Sequence, residues 1–101
     1  MILISGVELP IDRIADVCRR YDVQELSVFG SAARGDIEAW SDIDILVDFK
    51  PGARIGLVKF ASLNEELQGL LGRRVDLVTK PGLKPRVRPH VLREAQRVYS
   101  A

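Results

Sequence analysis

One cysteine, Cys18, stands in the 101-residue chain, and a single thiol excludes any internal disulfide. It falls on the apolar side of a helical pattern, where a small core residue is expected. Aromatic residues are scarce: one Trp, two Tyr and three Phe. The core must therefore be built mostly from Leu, Ile and Val. No apolar run approaches the roughly 20 residues that a membrane helix needs, so no membrane partner is expected. Met1–Ile4 has no basic leader and is too short for a signal peptide, which makes the cytoplasm the expected location. Neither sign of charge dominates: 15 basic residues against 14 acidic ones leave a net charge of +1. Such a balance calls for no direct nucleic-acid partner and no anionic membrane.

The residues present, 47% hydrophobic and 29% charged, have the composition of a globular protein. The length fits a single domain over residues 1–101, long enough to bury one core. Pro10 suits a helix start, and Ile11, Ile14, Ala15, Cys18 and Tyr21 recur at helical spacing to near Asp22. Glu25–Phe29 reads as a strand with Leu26 and Val28 on its apolar face. Gly30 ends it, and Ser31–Gly35 turns into a short helix. After a polar stretch, Asp36–Ser41, a second strand spans Asp42–Phe49. A helix follows with Leu57, Phe60, Ala61, Asn64, Leu67 and Leu71 as its stripe, closed by Gly72. Arg74–Thr79 reads as a third strand with Val75 and Leu77 inward. Pro81, Gly82 and Pro85 make a loop. A last helix from Pro89 is expected to turn Val91, Leu92, Ala95 and Val98 inward. The alternation of helices and strands predicts an α/β (α+β) fold, a small mixed sheet packed by helices.

The chemistry concentrates between Gly30 and Asp44. A strand running into a helix at Gly30–Ser31 presents free N–H groups to an anion. Gly30 lets the backbone approach closely. The Ser31 hydroxyl and, one turn on, Arg34 can donate to phosphate oxygens. Asp42 and Asp44, two apart on a strand, point to one face. Adjacent carboxylates repel and raise each other's pKa unless a cation lies between them. Oxygen donors suit Mg²⁺, usually held by one or two carboxylates together with substrate phosphates. Asp76 alternates with the inward Val75 and Leu77. If its strand adjoins the second, three carboxylates converge as in a two-metal site for displacement at phosphorus. Asp36, Glu38 and Asp48 read as surface charges, and His90, the only histidine, as structural or solvated.

Gly30-Ser31, ten residues, then Asp42-x-Asp44 resembles the signature of the DNA polymerase beta-like nucleotidyltransferase superfamily. The wider runs Val28–Asp36, Ser41–Val47 and Gly72–Val78 are similar to its minimal nucleotidyltransferase subfamily, over almost the whole chain. That resemblance implies that Gly30 and Ser31 hold the triphosphate of ATP. It implies that Asp42 and Asp44 bind Mg²⁺, with Mn²⁺ as a substitute, and that Asp76 completes the site and orients the attacking group. It further implies an antitoxin whose partner is a helical HEPN ribonuclease toxin, with a toxin tyrosine receiving AMP. Two other readings stay open: an antitoxin that neutralises by binding alone, and an enzyme modifying a small molecule. The oligomeric state is open as well, a homo-oligomer included. Many subfamily members carry a bulky or basic residue where this chain has Ala32, which points to one phosphate contact fewer. The crowding of Arg73, Arg74, Lys80, Lys84, Arg86, Arg88, Arg93 and Arg97 in the C-terminal third reads as a solvated face or as a docking surface for an acidic partner or a phosphate.

Overall fold

The computed structural model describes residues 1–101. Its elements run α1 (Ile11–Arg20), β1 (Val23–Phe29), α2 (Ser31–Arg34), β2 (Ile43–Phe49), α3 (Leu57–Leu71), β3 (Val75–Thr79), α4 (Arg88–Glu94) and β4 (Gln96–Ser100). The four strands form one mixed sheet in the order β3-β2-β1-β4. β1 is antiparallel to both neighbours, and β2 pairs with β3 in parallel through the α3 crossover. The expected small mixed sheet packed by helices is the fold observed.

Period-two alternation divides the sheet into two faces. Leu26, Val28, Ile43, Ile45, Val47, Val75, Leu77 and Val98 point to one side. There they pack with Ile14, Val17 and Cys18 of α1 and Leu63 and Leu67 of α3. Burial pushes the Cys18 thiol up to about 12, so it stays protonated and behaves as the small core residue expected. The opposite face is thinly covered. Leu46 lies under Leu83, from the loop after β3, and Val91 of α4, flanked by Phe29 and Val78.

The structure departs from the expectations at three places and adds one feature that they did not include. The C-terminal helix stops at Glu94, and Gln96–Ser100 is a strand on β1. Val98 is buried from that strand, whereas Leu92 faces solvent. Spacings of three and four had extended the helical pattern over a β-branched residue that alternation also suits. In α3 the buried residues are Leu63 and Leu67, with Phe60, Leu70 and Leu71 partly covered. Leu57 and Ala61 are exposed. Leu57 sits in the first turn, beside Phe49 and Thr79, the last residues of β2 and β3. That turn therefore stands at the rim of the sheet. The N-terminal residues, given no role above, form an Ile2–Glu8 bridge that places Leu3 and Leu9 in the core. Finally, Ala32 is buried in the main cluster. The side chain after Ser31 therefore packs into the core in this chain.

No helix is long and apolar enough to cross a membrane.

Candidate active site

The site face is built where β1 and β2 meet α2. Gly30 follows the last residue of β1 and takes a left-handed φ of 69°, a conformation L side chains rarely adopt. Space imposes glycine independently: a Cβ at this position would collide with Oδ2 of Asp44. The turn and the carboxylate are in van der Waals contact because β1 and β2 pair Phe29 with Asp44. Ser31 opens α2 and Arg34 closes it.

Asp44 is the second residue of β2, and its parallel partner on β3 is Asp76. The alternation that buries Ile43, Ile45, Val75 and Leu77 turns both acids to the other face. Burial first, then the charges of Asp76 and Asp42, raise the Asp44 carboxyl above its ordinary pKa, and a hydrogen-bonding contact with Asp76 adds to this. The Arg34 guanidinium opposes the shift. Asp42 precedes the strand and is more exposed. Its Oδ1 lies 3.4 Å from Nε of Arg74. The structure thus joins Asp44 and Asp76 closely, with Asp42 beside them on a solvated cation.

No three His, Cys, Asp or Glu side chains stand close enough to cage an ion unaided. The donor set is purely carboxylate and leaves coordination positions for phosphate and water, which fits Mg²⁺ rather than a softer metal.

Several residues outside the recognised motif shape the site. Arg73 Nη1 donates to the carbonyls of Glu38 (3.1 Å) and Ser41 (3.3 Å), tying down the loop that delivers Asp42. Glu94, on α4, accepts the Gly30 N–H at 2.9 Å and contacts Arg34. The exposed His90 pairs with Glu94 at 3.4 Å, in keeping with a solvated role. Asp36 lies 3.6 Å from Arg34, and Asp48 lies 3.7 Å from Lys80. Arg88 donates to the carbonyls of Lys80 and Leu83, so part of the C-terminal basic crowd holds its own loop. Arg73 lies inside the Gly72–Val78 run. Nothing in the local sequence singled out Glu94, whose partner Gly30 is 64 positions away.

Among proteins of known name, protein adenylyltransferase MntA of Thermococcus cleftensis is 51% identical over 75 residues, 74% of each chain. A solved structure provisionally described as a minimal nucleotidyltransferase is 44% identical, with a TM-score of 0.73 over 85% of this chain and 86% of that one. Two more distant structures share the fold. One is a toxin–antitoxin crystal structure with AMP-PNP (23% identity, TM-score 0.74, 92% and 75% covered). The other is a tri-AMPylated Shewanella oneidensis HEPN toxin in complex with MNT antitoxin (20%, 0.64, 90% and 70%). Residues 11–98 match the family described as the nucleotidyltransferase domain. With the Gly30 turn pressed on Asp44 and Asp44 aligned with Asp76, the chain belongs to the nucleotidyltransferase domain family and is a minimal nucleotidyltransferase.

Proposed function

We propose that this nucleotidyltransferase moves AMP from ATP to a hydroxyl of a partner protein, a tyrosine of a HEPN-type toxin, and so acts as its antitoxin in the cytoplasm. The observation that carries this reading is the register of β2 and β3, which sets Asp44 against Asp76 beneath the Gly30 turn. The half-identical relative named as a protein adenylyltransferase supports the donor and the acceptor class. The complex with a tri-AMPylated toxin supports the partner.

Gly30 and Ser31 receive the β- and γ-phosphates, the first by leaving room and the second by donating from its hydroxyl. Arg34 adds a charge-assisted bond to the same oxygens. Asp42 and Asp44 would hold Mg²⁺ on the triphosphate, and Asp76 with Asp44 would hold it toward the acceptor; Mn²⁺ can substitute. When bound, the ion neutralises charge on the phosphates and acidifies the acceptor hydroxyl. The acceptor oxygen attacks the α-phosphorus in line, its proton leaves toward Asp76, and the bond to the β-phosphate oxygen breaks to release pyrophosphate. Positioning and electrostatics supply most of the rate.

Mass spectrometry of the toxin encoded beside this protein, after incubation with the protein, ATP and Mg²⁺, tests the proposal. Increments of one or more AMP groups on a tyrosine are expected, and none with Asp44→Asn. An unmodified toxin that is nevertheless silenced would replace transfer with neutralisation by binding.

A further inference from the structure

We propose that Glu94 is a positioning residue for nucleotidyl transfer. It holds the Gly30 turn and the Arg34 guanidinium in the arrangement that receives the nucleotide's phosphates. The inference rests on the reading above and deepens it.

Strand register brings Glu94 to the site. In the antiparallel pair of β1 with β4, Val28 lies opposite Gln96. Two residues on from Val28 and two residues back from Gln96, the same register sets Gly30 opposite Glu94. The backbone ladder has stopped there, and the side chain takes it over: Oε1 accepts the Gly30 N–H at 2.9 Å. Both carboxylate oxygens lie 3.3 Å from Nη1 of Arg34. Oε2 lies 3.4 Å from His90 Nε2. The Glu94 side chain is 15% exposed and that of Arg34 47%. The carboxylate is therefore the fixed member of the pair, and the guanidinium is the member that needs fixing. The other ion-pair partner of Arg34, Asp36 at 3.6 Å, is itself 66% exposed.

An arginine loses considerable rotamer freedom when it is held in one place. A clamp already present in the free protein spares the ligand that ordering and appears as affinity. Removing Glu94 frees Arg34 and leaves the turn's N–H without its acceptor. A carboxylate near a phosphate site also repels the ligand, but here it is flanked by Arg34 and His90. If it withdraws, the Gly30 N–H loses the acceptor it has in the free protein. Ordering therefore outweighs repulsion, and the effect falls on nucleotide binding more than on the chemical step.

Mg-ATP affinity by calorimetry and steady-state transfer kinetics are measured for wild type, Glu94→Gln, Glu94→Ala, Arg34→Ala and the Arg34→Ala/Glu94→Ala double variant. Circular dichroism melting confirms folding. Glu94→Ala is expected to raise both Kd and KM for ATP about tenfold, the scale of one charge-assisted contact, with kcat within about threefold of wild type. Glu94→Gln is isosteric and still accepts from Gly30 but loses the charge that holds Arg34, so it falls between the two and guards against a misfolded alanine variant. In the Arg34→Ala background most of the Glu94→Ala effect disappears, the non-additivity of a shared interaction. Unchanged Kd and KM in both Glu94 variants, or a lowered melting temperature as their only effect, would overturn the proposal. Tighter ATP binding would overturn it too, showing that the carboxylate competes with phosphate. Should the wild type bind no ATP, the proposed function falls together with this inference; normal wild-type transfer with insensitive Glu94 variants removes the inference alone.

Discussion

The two faces of the sheet are made by the same strands and obey different physics. On one face Ile43, Ile45, Val47, Val75 and Leu77 sit under α1 and α3 in a cluster of 17 buried residues. On the other, the intervening positions carry Asp44, Leu46, Asp48, Asp76 and Val78, and only three residues form a buried cluster. In β2 the faces differ by a single step along the chain. The packed face supplies the stability, and this lets the open face keep two carboxylates in contact, an arrangement that opposes folding. Stability and function are thus segregated by parity along the strand, which makes the division testable one residue at a time.

The largest contrast should come from Asp44→Asn. Transfer should fall on the order of a thousandfold or more, the loss expected when a charged group at the transition state is removed. The folded fraction should not fall, and activity assays paired with melting curves would show both. Asp76→Asn should sharpen the comparison within the open face. Mg-ATP affinity should stay near that of wild type while transfer drops about a hundredfold, since its proposed role is toward the acceptor. Calorimetry beside single-turnover transfer checks this. Wild-type transfer by that variant would remove Asp76 from the site.

On the packed face the pattern should reverse. Leu67 is fully buried, and Leu67→Ala should destabilise by about 3 kcal/mol through lost burial and a residual cavity. Transfer per folded molecule should barely change; urea titration with activity normalised to the folded fraction measures both. A large fall in specific activity would show that the faces are coupled.

The smallest effect concerns stability and pH. The folded protein holds the Asp44 proton more tightly than the unfolded chain does. Ionising this group therefore subtracts stability as the pH rises above the unfolded value of about 4, and the penalty is complete once the folded pKa is passed. In chelator-treated buffer, Asp44→Asn should melt higher than wild type at pH 7. The gain should shrink as the pH falls toward 4. A gain independent of pH would trace the effect to something other than ionisation.

Much of this was readable from the chain, because alternation is a local property. Val75-Asp76-Leu77 and Ile43-Asp44-Ile45 announce which side each residue takes, and Gly30-Ser31 announces a tight turn. Adjacency of the two acid-bearing strands was left conditional, since pairing depends on the crossover and not on either strand. Gln96–Ser100 misled for a related reason: Val91, Ala95 and Val98 fit helical spacing, and the edge of β1 that recruits β4 lies about seventy residues away in sequence. Glu94 escaped notice because its partner Gly30 is 64 positions distant. Ala32 looked like a lost ligand contact when only its neighbours in the chain were known. Its burial shows that the position belongs to the core.

The register between β2 and β3 also determines where the chain tolerates a change of length. Asp44 and Asp76 meet because two parallel strands, about 4.8 Å apart, present the same step of the pleat. The backbone ladder, not side-chain packing, measures their separation. One residue inserted or deleted between Gly72 and Val75 would turn Asp76 into the apolar interior and bring a valine or leucine to the open face. An insertion near Pro51 and Gly52, ahead of α3, would only lengthen an exposed loop, leaving α3 and β3 free to return in phase. Length variation among working copies of this protein should therefore collect before α3 and be absent between Gly72 and Val75.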